Sequence, residues 1–294
     1  MNRLSYLPCP DSDELARENR RVLEIRYEIA ESLGRSALEA IDAGEYLADD
    51  GWVNWSAAVK ASEGAKVSIP PDATLPHSDP HPHDQTRVSV VNRTTLAAAR
   101  ALVEEGHRPL ALNFANGIEP GGGFLRGATA QEETLCRSSA LYATLFRDPM
   151  YDFHRENDPA ASSDWAILSP SVPVFRNDAG MECDKPWPLS FLTCAAPYAP
   201  AIGQTDSAKM LRKRIHRVLA IARAYNYQSL VLGAWGCGAF GNDPRQTATD
   251  FRQALEVDFA GAFERVVFAI ADWSDGRRFL RPFCEVFSSD QHRG

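Results

Sequence analysis

The residues best suited to chemistry lie close together after an apolar run. Gly121, Gly122 and Gly123 are followed, across Phe124 to Ala130, by Gln131, Glu132 and Glu133. Three successive glycines strip every Cβ from one stretch of backbone, so a ligand can lie against its peptide groups or the chain can take positive φ. Two carboxylates at a helix start suit acetal hydrolysis through an oxocarbenium-like state: a carboxyl group protonates the departing oxygen and a carboxylate activates water. One glutamate can do both in sequence. Adjacent side chains diverge, so Glu132 and Glu133 take different tasks. The positive end of a helix lowers a carboxyl pKa while a general acid needs it raised; burial or a nearby ligand diphosphate supplies the opposite push. Acids also favour helix starts for purely structural reasons, and the triple glycine beside them tips the reading towards a ligand loop.

A second glycine-rich loop, Gly236-Cys237-Gly238-Ala239-Phe240-Gly241, follows an apolar strand and matches G-x-G-x-x-G. The match is formal, because no acid ends the next strand about 20 residues on and Pro244 delays the helix. What it keeps is a strand-end loop of small residues able to aim backbone N–H groups at a diphosphate. Cys237 lacks a histidine partner in the motif, which favours packing over nucleophilic catalysis.

The elements around these loops alternate. Strands are expected at Val88–Val91, Pro109–Phe114, Trp165–Leu168, Leu189–Cys194, Ser229–Leu232 and Arg265–Ala271. Helices are expected from Thr94 to Val103, Glu132 to Phe146, Ser207 to Tyr225 and near Gln246 to Val257. That alternation implies an α/β layer fold with a largely parallel sheet, its ligands beyond the carboxyl ends of the strands. Upstream, the periodic apolar residues from Asp13 to Tyr46 make a helical arm in which Gly34 and Gly44 leave room for a break, and Pro70 to Gln85 read as a surface loop or linker. His77, His81 and His83 in that loop present no closed ligand set, and no metal site is expected.

The chain has 294 residues with a net charge of −8. That balance works against a counterion-release grip on nucleic acid, so no DNA tracking is expected. Its six scattered cysteines contain no C-x-x-C pair, and free thiols are expected. No run reaches membrane-helix length and Met1 to Pro10 lacks the order of a signal peptide, which points to a cytoplasmic protein with no membrane partner.

Taken together, Gly121-Gly122-Gly123 and Gln131-Glu132-Glu133 resemble the signature of the bacterial-type poly(ADP-ribose) glycohydrolases, built on a macrodomain. Asn113-Phe114-Ala115-Asn116, the loop Gly236 to Asn242 and the strand Phe268 to Asp272 are similar too. The resemblance implies a macrodomain-like three-layer α/β/α fold with a mixed, largely parallel central sheet in residues 87–294. Residues 1–86 would be the N-terminal helical accessory region and Pro/His-rich loop. It implies Glu133 as acid and base, Glu132 and Asn116 on the distal ribose, and Gln131 beside them. The Gly121–Gly123 backbone and Gly236, Cys237, Gly238, Ala239 and Phe240 would clasp the diphosphate, with adenine near Asn92 and Phe268. Arg93 stands where the family tends to carry Glu. The implied activity is mainly exo-acting release of ADP-ribose from poly(ADP-ribose) on ADP-ribosylated proteins, without a cofactor. Two alternatives stay open: hydrolysis of mono-ADP-ribose from an acceptor, and a non-catalytic ADP-ribose reader.

Overall fold

The computed structural model describes residues 3–78 and 82–288. Strand β1 (Leu4–Tyr6) precedes helices α1 (Asp13–Leu23) and α2 (Tyr27–Ala43), the hairpin β2 (Glu45–Ala48) and β3 (Gly51–Asn54), helix α3 (Ser56–Ala65) and β4 (Val67–Ile69). Next come β5 (Thr86–Val91), α4 (Thr95–Glu104), β6 (Pro109–Ala115), a 3-10 turn at Phe124–Arg126, α5 (Gln131–Ser138), α6 (Leu141–Leu145) and α7 (Pro149–Glu156). The chain ends with β7 (Ala166–Arg176), β8 (Glu182–Ala195), α8 (Ala199–Ile202), α9 (Gln204–Ala224), β9 (Ser229–Leu232), α10 (Pro244–Glu256), β10 (Arg265–Ala269) and α11 (Leu280–Val286). This is the mixed α/β fold, with a mostly parallel sheet, that the alternation implies.

Contacts gather the chain into two units, residues 1–20, 72–112 and 196–294 in one and 21–71 and 113–195 in the other. In the first unit the strands run β1-β5-β10-β9-β6, all parallel. β9 is buried at every position and β6 at nearly every one, the continuous apolar run of a strand covered on both faces. Helix α4 starts where Thr94 Oγ1 accepts from the Ala97 amide at 3.0 Å. Pro244 begins α10 instead of delaying it: as first helical residue it needs no acceptor, and Asp243 caps the helix by accepting from the Gln246 amide at 2.7 Å. Cys9 and Cys284, expected as thiols, form a disulfide with Cα atoms 5.9 Å apart, because the fold brings together residues 275 apart in sequence.

In the second unit the end of β6 is followed by β8, β7 and β4, and β8-β7-β4 pair antiparallel. The β7–β8 hairpin is far longer than the apolar runs suggest, since Pro173 pairs with Pro188 beside register shifts that absorb the missing donors. The expected helix from Glu132 to Phe146 is split because Ser139 bridges Val174 and the Ala140 amide donates to Pro173 O at 3.0 Å. The helical arm breaks between Leu23 and Tyr27, not at Gly34. Gly34 lies buried inside α2, where a Cβ would sit 2.3 Å from Phe124 O, while Gly44 ends α2 at φ 72°. Arg176, 5% exposed, fastens this packing by donating to Leu33 O, Ser36 Oγ and Arg137 O.

Residues 70–78 and 82–85 form a loop as expected, while Asp79, Pro80 and His81 lie outside the described residues. Among the described residues no group of His, Cys, Asp and Glu could hold a metal ion. No helix of the described residues is long and apolar enough to cross a membrane.

Gly34→Ala is expected to cost about 1–3 kcal/mol of unfolding free energy, since its Cβ meets backbone that cannot yield. Gly64→Ala in α3, with open space around its Cβ, is expected to stabilise by about 0.5–1 kcal/mol. Urea melts of the two variants, read side by side, check both signs.

Candidate active site

Helix α5 brings Glu132 and Glu133 out of its first turn into a pocket of backbone amides. Both are buried, at 3% and 8% exposure. Glu132 spends both oxygens: Oε1 accepts from Asn113 Nδ2 at 3.1 Å and Oε2 from the Asn116 amide at 2.7 Å, with the Gly121 amide a further donor. Burial nevertheless pushes its carboxyl up to about 8, the charge of Glu133 adds to the push, and the amides of Asn116 and Gly121 oppose it. Glu133 is held differently. Its Oε1 accepts from the Gly123 amide at 3.0 Å, while its buried Oε2 has no partner. One carboxyl group is fastened at both oxygens; the other is fixed by one oxygen and offers the second.

The triple glycine makes this possible. Gly121 and Gly122 take φ of 70° and 57°, and a Cβ on Gly122 would sit 2.4 Å from Glu133 Oε1 and 3.2 Å from Glu132 Oε2. The expected use of these amides was a grip on a diphosphate. Here all three are committed within the chain, Gly121 to Glu132, Gly122 to Glu119 O and Gly123 to Glu133. Gln131 locks the same corner, its Oε1 accepting from the Phe114 amide at 2.9 Å. Asn116 Oδ1 accepts from the amides of Ile118 and Glu119 and so shapes the loop that leads into the glycines.

Several supporting residues escaped the sequence reading. Asn113 Nδ2 bridges Glu132 and Thr193 Oγ1, and its buried Oδ1 has no partner. The fully buried His154 accepts from the Ser163 amide at Nε2, so Nδ1 carries the proton donated to Gly117 O at 2.8 Å and pins the Asn116–Gly117 turn. Buried Arg137, whose pKa burial lowers, donates to Thr134 Oγ1 within α5. Only Asn113, a polar residue inside the otherwise apolar β6, carried a signal in sequence for any of them.

The second glycine loop belongs to the other unit. Asn242 organises it, Nδ2 donating to Pro197 O at 2.9 Å and Gly236 O at 3.1 Å. The amides of Gly236, Gly238, Ala239 and Phe240 have no acceptor among the described residues, a nest suited to an anion. Cys237 is buried, its thiol pushed up to about 12 by burial, which makes it a packing residue. Phe240 is half-buried and lies edge-on to Tyr198 with ring centroids 5.8 Å apart.

The two residues near which adenine is expected have their own side chains in the core. Asn92 is buried and its side chain is consumed by Asp11, Asn19 and the Asp272 backbone. Phe268 is fully buried in an aromatic cluster, 4.6 Å from Phe287. Both are core residues of their strand ends, so neither side chain can meet a base, and Arg93 is exposed.

Residues 34–177 match the family model of the microbial-type PARG catalytic domain. The chain is 40% identical to a poly(ADP-ribose) glycohydrolase from Thermomonospora curvata solved with the inhibitor ADP-HPD, with a TM-score of 0.82 over 88% of this chain and 99% of that one. It is 36% identical to a poly(ADP-ribose) glycohydrolase from Deinococcus radiodurans solved with ADP-ribose, with a TM-score of 0.72 over 78% of this chain and 96% of that one. No curated protein sequence matches the chain.

The raised carboxyl of Glu132 has a consequence for stability. Between its usual 4.5 and about 8 the folded chain holds a proton that the unfolded chain has released. Its contribution is thus full below about pH 4.5 and lost as pH rises to about 8. Glu132→Gln is expected to remove this fall, up to about 1.4 kcal/mol per pH unit, so denaturant melts of the two proteins diverge with rising pH. Gly122→Ala is expected to displace the Glu133 carboxyl group and to lower turnover by about 10²-fold or more, in steady-state kinetics of the folded variant.

Proposed function

The chain belongs to the microbial-type poly(ADP-ribose) glycohydrolases, which hydrolyse ribose–ribose O-glycosidic bonds, and from that premise we propose that Glu133 is the catalytic acid and base. The observation that carries this assignment is the difference between the two carboxyl groups. Glu133 has a buried Oε2 free to meet substrate, while Glu132 has both oxygens bonded within the chain.

In this reading protonated Glu133 gives its proton to the bridging oxygen as the ribose C–O bond breaks, and positive charge develops on the sugar carbon. The resulting carboxylate takes a proton from water as the water oxygen bonds to that carbon, which restores the acid. Buried Glu132, held at both oxygens, keeps a fixed position and, with Asn116, orients the ribose hydroxyls. The diphosphate takes the free amides of Gly236, Gly238, Ala239 and Phe240, which need no lysine and suit an acidic protein. The Gly121–Gly123 backbone serves chiefly to hold the carboxyl groups. Residues 1–86 act as an accessory region, with α2 supporting the catalytic turn through the Gly34–Phe124 contact.

Action mainly from chain ends, ADP-ribosylated proteins as carriers of the polymer and a cytoplasmic setting belong to the same proposal. The chemistry asks for no metal or cofactor, since a carboxyl group and water supply every proton moved.

The test is to incubate the protein and Glu133→Gln with poly(ADP-ribose) and to follow released ADP-ribose by chromatography. Wild type is expected to release the monomer as first product. Glu133→Gln is expected to lose about 10²–10⁴-fold in rate while still binding ADP-ribose in a calorimeter. Binding without release by wild type would overturn the proposal in favour of a reader. Release only from mono-ADP-ribosylated acceptors would move the scissile bond.

A further inference from the structure

A second cavity, of about 370 Å³, opens beside the glycine turn, lined by residues between 119 and 155 and by none of the loop Gly236 to Phe240. Its wall includes Gly122, the residue whose missing Cβ leaves room for Glu133 Oε1, so cavity and proposed acid share that glycine as a neighbour.

The remaining walls combine what a nucleotide needs. Phe146 is half exposed, with its ring 5.7 Å from Tyr142. The Arg147 guanidinium lies over that ring at 5.0 Å, and among the described residues no carboxylate pairs with it. Arg126, by contrast, is consumed by a bidentate pair with Glu119. Deeper in, the Tyr151 hydroxyl is buried without a partner, and burial raises its pKa well above the ordinary phenol value, which keeps it a donor. An orphaned buried donor, an unpaired guanidinium and an open aromatic face fit an anionic group carrying a flat base.

We propose that this cavity is a subsite for the nucleotide on the leaving side of the scissile bond, the next unit of the polymer. Arg147 meets its phosphates, Phe146 its base and Tyr151 a buried oxygen. The inference rests on the glycohydrolase reading above. A polymer needs such a place because cleavage leaves a nucleotide on each side of the bond, and the free amides of residues 236–240 serve one of them.

The experiment compares two substrates for wild type, Arg147→Gln and Tyr151→Phe: short poly(ADP-ribose), and ADP-ribose carrying a nitrophenyl group on its distal ribose, which has no leaving nucleotide. The ratio of kcat/KM on the polymer to kcat/KM on the aryl substrate is expected to fall about tenfold in each variant, chiefly through KM, with Arg147→Lys restoring part of it. A parallel fall on both substrates would assign these residues to the fold or the catalytic centre and overturn the subsite, as would unchanged polymer kinetics. Wild type that cleaves neither substrate would contradict the glycohydrolase reading itself and remove the inference with it.

Discussion

Two buried carboxyl groups on adjacent residues are costly unless amides receive them, and the structure is organised around meeting that condition. The first turn of α5 supplies Glu132 and Glu133, and the Gly121–Gly123 turn supplies N–H groups close enough only because no Cβ intervenes. The glycines differ in duty: Gly122 makes room, Gly123 donates to Glu133, and Gly121 helps to hold Glu132. The outcome is asymmetric. Glu132 is saturated with donors yet pushed towards protonation by burial, while Glu133 retains a free oxygen.

Such a turn keeps its shape only if its surroundings cannot relax. His154 fixes the Asn116–Gly117 corner, Arg176 ties α2 to the backbone of α5, and Gly34 lets α2 approach the carbonyl of Phe124. Helix α2 is therefore part of the support for the Gly121–Gly123 turn. The second glycine loop follows a different logic. Asn242 braces it from within while four amides stay unspent, so one loop holds the protein's own carboxylates and the other is free to hold an anion.

Local signals in the sequence were read well where local physics decides. Ser229–Leu232 has the expected strand bounds, Thr94 caps its helix, and the adjacent glutamates begin α5 next to the glycines. What was misread depends on partners far along the chain. Nothing near Cys9 announces Cys284, and the periodicity of residues 132–146 hides the pairing of Ser139 with Val174 that splits the helix. Pro173, Pro186 and Pro188 lie inside the two long strands, where the register shifts of an antiparallel pair absorb them. The resemblance puts adenine near Phe268, whose own side chain packs against Phe251, Phe283 and Phe287 in the core. Composition shows that the glycine backbone is accessible but not what accepts from its amides, which within the chain are Glu132, Glu119 and Glu133.

The most direct measurement is a crystal structure of Glu133→Gln with a short poly(ADP-ribose) bound. The account predicts the side chain at position 133 within hydrogen-bond reach of the oxygen bridging two riboses, with Glu132 still on Asn113 and Asn116 and the diphosphate on the amides of residues 236–240. A bridging oxygen seated against Glu132, or a diphosphate on the amides of Gly121–Gly123, would contradict it.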